Sequence, residues 1–197
     1  MKHVFGIMFS PLAEWEKIRE DSASIIGHYL KYIVLIALLP PVAWYYGSTV
    51  VGWTLGERVI RLTPESAMQI MTLFYLAILF GIGFLGFMVH WMSETYGAQS
   101  SFIKGILIAS LCATPLFIAG AVGFYPILWL DMLIGVFAVC WSTYLLYNGI
   151  PIVMKIPETR GFLFASAVIG VSLVMLVCLL VATTLLWDWG AMPAFTD

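Results

Sequence analysis

Charge is what this sequence has least of. Only 10% of its 197 residues are Asp, Glu, Lys or Arg, where a soluble domain carries roughly 25%, and so few charges cannot cover a water-facing surface. The balance is near neutral at a net −2, with no concentrated basic face, which excludes nucleic acid as a partner. Cysteine is also scarce. Cys112, Cys140 and Cys178 fall in separate apolar runs, lack metal-ligand spacing, and read as small packing residues. Residues 1–27 contain no apolar stretch with a small-residue cleavage site, so no cleavable signal is expected. There is no H-E-x-x-H, no G-x-S-x-G, and no face carrying the several acids or bases that phosphoryl or headgroup transfer needs. Neither an enzyme nor a bound cofactor or metal is expected.

Apolar length is what the sequence has in excess. Hydrophobic residues make up 62% and the mean hydropathy is +0.99. A bilayer core of roughly 30 Å needs about 20 apolar residues in a helix. Such runs occur near His28–Val51, Met68–Trp91, Phe102–Val122, Ile127–Gly149 and Gly161–Trp187, the third and fourth divided at Gly123-Phe124-Tyr125-Pro126. The runs are continuously apolar and too long for spanning strands, which excludes a β-barrel. The predicted fold is therefore all-α, a polytopic five-helix transmembrane bundle. Residues 1–27 form a cytoplasmic amphipathic segment, 28–187 the bundle, and 188–197 an external C-terminal tail.

Basic residues set the orientation. With the N-terminus inside, Lys2, Lys17, Arg19, Lys31, Lys104, Lys155 and Arg160 are cytoplasmic, and only Arg58 and Arg61 lie outside. Seven against two predicts a cytoplasmic N-terminus and an external C-terminus. Tyr45, Tyr46, Trp53, Tyr125, Trp129, Trp187 and Trp189 read as the outer aromatic belt, with Trp91, Tyr96 and Tyr147 at the inner boundary.

Before the first span, Ser10-Pro11 reads as an N-cap and first helical residue. Leu12, Trp15 and Ile18 follow as a narrow apolar stripe. Such a helix either lies in the headgroup plane with Trp15 inserted or packs on the cytoplasmic end of the bundle. Gly81-Ile82-Gly83-Phe84-Leu85-Gly86 spells G-x-G-x-x-G, but inside a spanning helix it has no strand before it, so helix packing replaces nucleotide binding. Ala77/Gly81, Ala109/Ala113, Ala119/Gly123 and Ser166/Gly170 repeat the small-xxx-small spacing.

Pro40, Pro41 and Pro115 should kink the first and third helices, and Thr114 is placed to help satisfy freed carbonyls. Asp131 is the one acid within a span, about 7.5 Å along the helix from Pro126. Pairing with Arg58 or Arg61, or hydration, is expected there in preference to proton coupling. His90 and Glu94 stand four residues apart, two candidate ligands without a third.

The most distinctive stretch is Tyr144-Leu145-Leu146-Tyr147-Asn148-Gly149-Ile150-Pro151 followed by Pro157-Glu158. Gly149 is read as the helix C-cap. Pro151 and Pro157 then bracket a short apolar connector, and Ile150, Ile152, Val153 and Met154 are expected to insert in the interface or cover the bundle end. Together with Ser10-Pro11…Trp15…Ile18 and Ala113-Thr114-Pro115-Leu116, this order of elements resembles the Yip1 domain family, in particular small bacterial inner-membrane members. The resemblance implies five helices, a cytoplasmic N-terminus, and no catalytic residues to carry over. Eukaryotic members act in vesicle trafficking with small GTPases; this chain lacks their long polar N-terminal region.

The expected role is a non-enzymatic, membrane-organising or scaffold protein of the inner membrane, with membrane lipids, a second copy or an unidentified protein as partners. Its expected surface comprises Trp15, Tyr144, Tyr147, Gly149, Pro151, Lys155, Pro157 and Arg160. The alternative is a small transporter, channel or lipid-translocating protein. That reading requires a polar groove where Pro40, Pro41, Thr114, Ser142, Thr143 or Asp131 meet.

Overall fold

A computed structural model describes residues 2–20, 31, 33–55, 57–98 and 100–196. Two short helices, α1 (Lys2–Phe9) and α2 (Pro11–Glu20), come first. Five spans long and apolar enough to cross a membrane follow. They are α3 (Ile33–Val51), α4 (Pro64–Ser93, with a 3-10 turn to Tyr96), α5 (Phe102–Ala119, with a 3-10 turn to Phe124), α6 (Leu128–Met154) and α7 (Glu158–Leu186). The all-α five-helix architecture is as expected; the start near His28 lies outside the described residues.

Local chemistry fixes the helix starts. Ser10 separates α1 from α2, and Pro11 opens α2 where its missing N–H is harmless. Thr63 Oγ1 accepts the Ser66 N–H at 3.4 Å ahead of Pro64, and Ser101 Oγ accepts the Lys104 N–H at 3.3 Å, two side-chain N-caps.

α5 is the central helix. Half of its apolar stretch is buried, against 11% for α4 and α6 and 17% for α7. The outer helices leave large side chains such as Phe137 and Val174 uncovered, the arrangement expected where lipid is the solvent. α4 crosses α5 backbone to backbone: a Cβ on Gly105 would run into the Gly86 carbonyl, and one on Gly86 would stand 2.6 Å from Ile106 Cγ1. Of the small-residue pairs read from the sequence, Gly123 is used, lying against Trp44 and Gly47 of α3. Gly81 makes only ordinary contact with Met175, and Gly170 faces open space. Spacing alone misplaced those pairs, because a close crossing needs small residues at one height on both helices.

The proline pair breaks α3 as expected. Around Ala37-Leu38 the helix opens, and Leu38 N–H binds Leu35 O at 3.2 Å, one residue short of the regular partner. The bypassed Val34 carbonyl instead accepts the Tyr75 hydroxyl of α4 at 3.1 Å. Pro115 leaves α5 continuous. Thr114 Oγ1 donates to Ser110 O at 3.3 Å, so it serves its own helix and not the Leu111 carbonyl opposite the proline.

One end of the bundle carries a small sheet that the apolar runs gave no sign of. β1 (Trp53–Leu55) pairs antiparallel with β2 (Arg58–Leu62), and β3 (Phe195–Thr196) adds to β2. Of the segment 188–197, read as a tail, the described residues 188–196 are thus tied down: Thr63 N–H binds Ala194 O at 2.9 Å and Ala194 N–H binds Ser66 Oγ at 3.0 Å. α1 and α2 occupy the opposite end, where the main apolar cluster of Ile7, Trp15, Ile18, Leu107, Leu111, Leu145, Ile150 and Phe164 lies.

The α6–α7 junction differs from its reading. Gly149 is not a cap; α6 runs five residues further, to Met154. Val153 and Met154 are buried with Ile150, and their burial stabilises helix where Gly and Pro spelled a stop. Lys155 instead takes the left-handed conformation at φ 54°, its N–H on Pro151 O. The apolar residues cover the bundle end, one of the two outcomes expected.

Candidate functional site at the helix junction

Trp15 is fully buried. A Cβ on Gly149 would stand 2.7 Å from its Cε2 and Cζ2 atoms, so the indole lies directly against the bare stretch of α6. That decides between the two readings of α2: it packs on the bundle. Ile18 is buried beside Trp15, Leu12 is half exposed, and Glu14 is buried with its Oε1 held by Lys17 Nζ at 2.8 Å.

The last turns of α6 and the first turns of α7 form a V. Its close approach is at Pro151 and Gly161, where an added Cβ would meet Pro151 Cβ at 2.7 Å. Tyr147 bridges the arms: its hydroxyl bonds Ser166 Oγ at 3.0 Å, and its ring stacks on Phe162 with centroids 5.0 Å apart. Between the arms opens a cleft of about 910 Å³, walled by Pro151, Ile152, Ile156, Phe162 and Leu163, with Leu12 of α2 at its mouth. Asn148, Glu158 and Thr159 supply its polar edge.

The predicted surface residues fall into four pairs. Tyr147 and Pro151 line the cleft, while Trp15 and Gly149 form the buried seam beneath α2. Pro157 precedes α7 and its carbonyl accepts the Gly161 N–H at 2.9 Å; Lys155 is exposed beside it. Tyr144 and Arg160 stand apart. Tyr144 packs its ring on Trp141, centroids 5.3 Å apart. Arg160 Nη1 lies over Gly97, 2.6 Å from where a Cβ would be, at the α4–α5 turn whose Gly97 has φ 73°. Sequence reasoning missed Glu158 and Thr159. Their signal was available: with Phe162 and Leu163 they repeat at four-residue spacing, one face of α7.

The intramembrane candidates do not converge. Pro40 packs on Gly120. Pro41 lines an apolar groove of about 250 Å³ with Tyr75, Thr72 and Met68. Thr114 and Pro115 are buried in α5, and Thr143 bonds Val139 O of its own helix at 2.8 Å. Asp131 sits in the first turn of α6 with its Oδ1 buried and without a hydrogen bond, as is Ser142 Oγ further along the helix. Of the two outcomes expected for Asp131, pairing or hydration, an ion pair with Arg58 or Arg61 is not formed among the described residues.

A sequence profile of the Yip1 domain matches residues 5–179. The chain belongs to the Yip1 domain family. Every motif behind the resemblance, from Ser10-Pro11 to Pro157-Glu158, falls within the matched region. This Yip1 protein is also similar to Inner membrane protein YohC of Escherichia coli strain K12, 32% identical over 191 residues that cover 96% of this chain and 98% of the relative. The protein of the same name in Escherichia coli O6:H1 matches equally. No solved structure matches. The Yip1 protein described here is an integral membrane protein, and the profile stops before β3 closes its sheet.

Proposed function

We propose that this Yip1 protein is a non-enzymatic, membrane-organising or scaffold protein of the inner membrane, working through the bundle end where α2 docks on the α6–α7 junction. The carrying observation is the construction of that end. A buried tryptophan, a packed apolar cluster and a tyrosine–serine bridge fix it, while Lys155, Tyr144 and Arg160 remain exposed around it. The positive-inside balance supports a cytoplasmic location for this face, and the relatives' shared description supports the inner membrane. Transport is the weaker reading, because Pro41 lines an apolar groove and Thr114 serves its own helix.

The test replaces Lys155 and Arg160 together by Gln, with unchanged insertion confirmed first. A photo-crosslinker at Tyr144, with Lys155 and Arg160 intact, should capture a discrete protein partner. The double variant should lose that partner and fail to complement a deletion strain. Full complementation with unchanged partners would reduce the face to a topology signal. Solute flux in proteoliposomes that disappears in Asp131→Asn would establish the transport reading instead.

A further inference from the structure

α6 spans 27 residues and α7 29, about 40 Å each at 1.5 Å per residue, longer than the roughly 30 Å hydrocarbon core. The exposed charges of Lys155, Glu158 and Arg160 favour the headgroup layer for the turns at the α6–α7 junction. The cleft between them is graded along this direction. Glu158 and Thr159 stand at the start of α7, and Phe162 and Leu163 follow one turn deeper, level with Tyr147 and Asn148 of α6. Phe162 and Leu163 are more than half exposed and Glu158 is exposed, so the cleft opens sideways toward lipid. Its volume of about 910 Å³ lies within the roughly 300–1,000 Å³ typical of small-molecule sites. The charge on its wall is acidic. Glu158 makes no ion pair among the described residues, and Arg160 is turned away over Gly97. Lys155 is not part of the lining.

We propose that this cleft binds a phospholipid with a primary-amine headgroup, of the phosphatidylethanolamine class. The ammonium donates to the Glu158 carboxylate, the phosphate accepts from the Thr159 hydroxyl, and an acyl chain lies along Phe162, Leu163 and Ile152. A carboxylate at this level repels anionic lipid, and an ammonium that can donate three hydrogen bonds is distinguished from a quaternary one that can donate none. The proposal deepens the scaffold reading by naming a lipid for the same end of the molecule. Partner capture and complementation test that reading without reference to this lipid, so the two can fail separately.

The full-length protein is purified in detergent and exchanged into nanodiscs containing equal phosphatidylethanolamine, phosphatidylcholine and phosphatidylglycerol. The lipid retained through delipidation is then counted by native mass spectrometry. Wild type should retain the ethanolamine lipid over the choline lipid about tenfold, the ratio carried by roughly 1.4 kcal/mol. Glu158→Gln, an exposed change at a helix start, should abolish that preference. Leu163→Trp should reduce retention of all three lipids by filling the apolar part, with the carboxylate intact. Equal retention of the three by wild type, preference for the glycerol lipid, a preference that survives Glu158→Gln, or a dimer crosslink across the cleft would overturn the proposal.

Discussion

Gly149 carries no side chain, and that is what lets the Trp15 indole lie on the backbone of α6. The seam cannot widen cheaply, since Trp15 is fully buried among Ile18, Leu145 and Ile150. Gly149→Ala should therefore lower stability by about 1–3 kcal/mol through overpacking, despite alanine's better helix propensity. Thermal unfolding in detergent followed by tryptophan fluorescence checks it; unchanged or raised stability would mean that α2 does not hold the position described. Lys155 gives the opposite sign. It sits in the left-handed region, which strains a residue with a Cβ by roughly 1 kcal/mol and suits glycine. Lys155→Gly should raise the unfolding temperature modestly while removing one exposed charge. Both positions were singled out in the sequence, yet their roles were exchanged: Gly149 was read as the cap that Lys155 provides. The helix goes on because Val153 and Met154 gain burial by it, and that gain depends on α2, more than 130 residues earlier in the chain.

At the scale of elements, local signals were legible and pairings were not. The Pro40-Pro41 break in α3 could be read directly, since proline removes donors wherever it stands. Its complement, the Tyr75 hydroxyl on Val34 O, could not, because it joins residues 41 apart. Tyr75→Phe should leave that carbonyl without its partner, costing about 1–2 kcal/mol, and loosen α3 against α4 in hydrogen–deuterium exchange around residues 33–38. Exchange unchanged there would show that the freed carbonyl finds another donor. Likewise, Gly86 looked like part of a glycine-rich motif, while Gly105 gave no signal at all. Only their meeting explains either, and Gly105→Leu should prevent a stable α4–α5 crossing, seen as loss of monodisperse protein after extraction. The hairpin over 53–62 was missed for a simpler reason. Strands of three and five residues carry too little alternation to stand out beside runs of twenty apolar residues.

Across the whole molecule, the two ends are built by different means. One end is closed by apolar packing of α1 and α2 on the junction. The other is closed by hydrogen bonds of β3 and Ala194 to β2, Thr63 and Ser66. A chain with five spans must place its N-terminal helices and its last strand on opposite sides, and the seven-to-two distribution of Lys and Arg predicts that the sheet lies on the outer side. The sheet makes this assignment demanding. Segment 188–196 cannot change sides alone, since it is paired with the first loop, so the α3–α4 loop and the C-terminus must report the same compartment. An alkaline phosphatase fused after Asp197 should be active, and a fluorescent protein that matures only in the cytoplasm should be dark there. Single cysteines at Arg58 and Thr196, with the three native cysteines replaced by Ala, should both react with a membrane-impermeant thiol reagent applied from outside. A cysteine at Lys155 should react only after permeabilisation. If the Arg58 and Thr196 positions label from different sides, the β2–β3 pairing and the five-span architecture fall together. If both label only from the cytoplasm, the bundle stands and its orientation is reversed, which would move the α6–α7 cleft to the external leaflet.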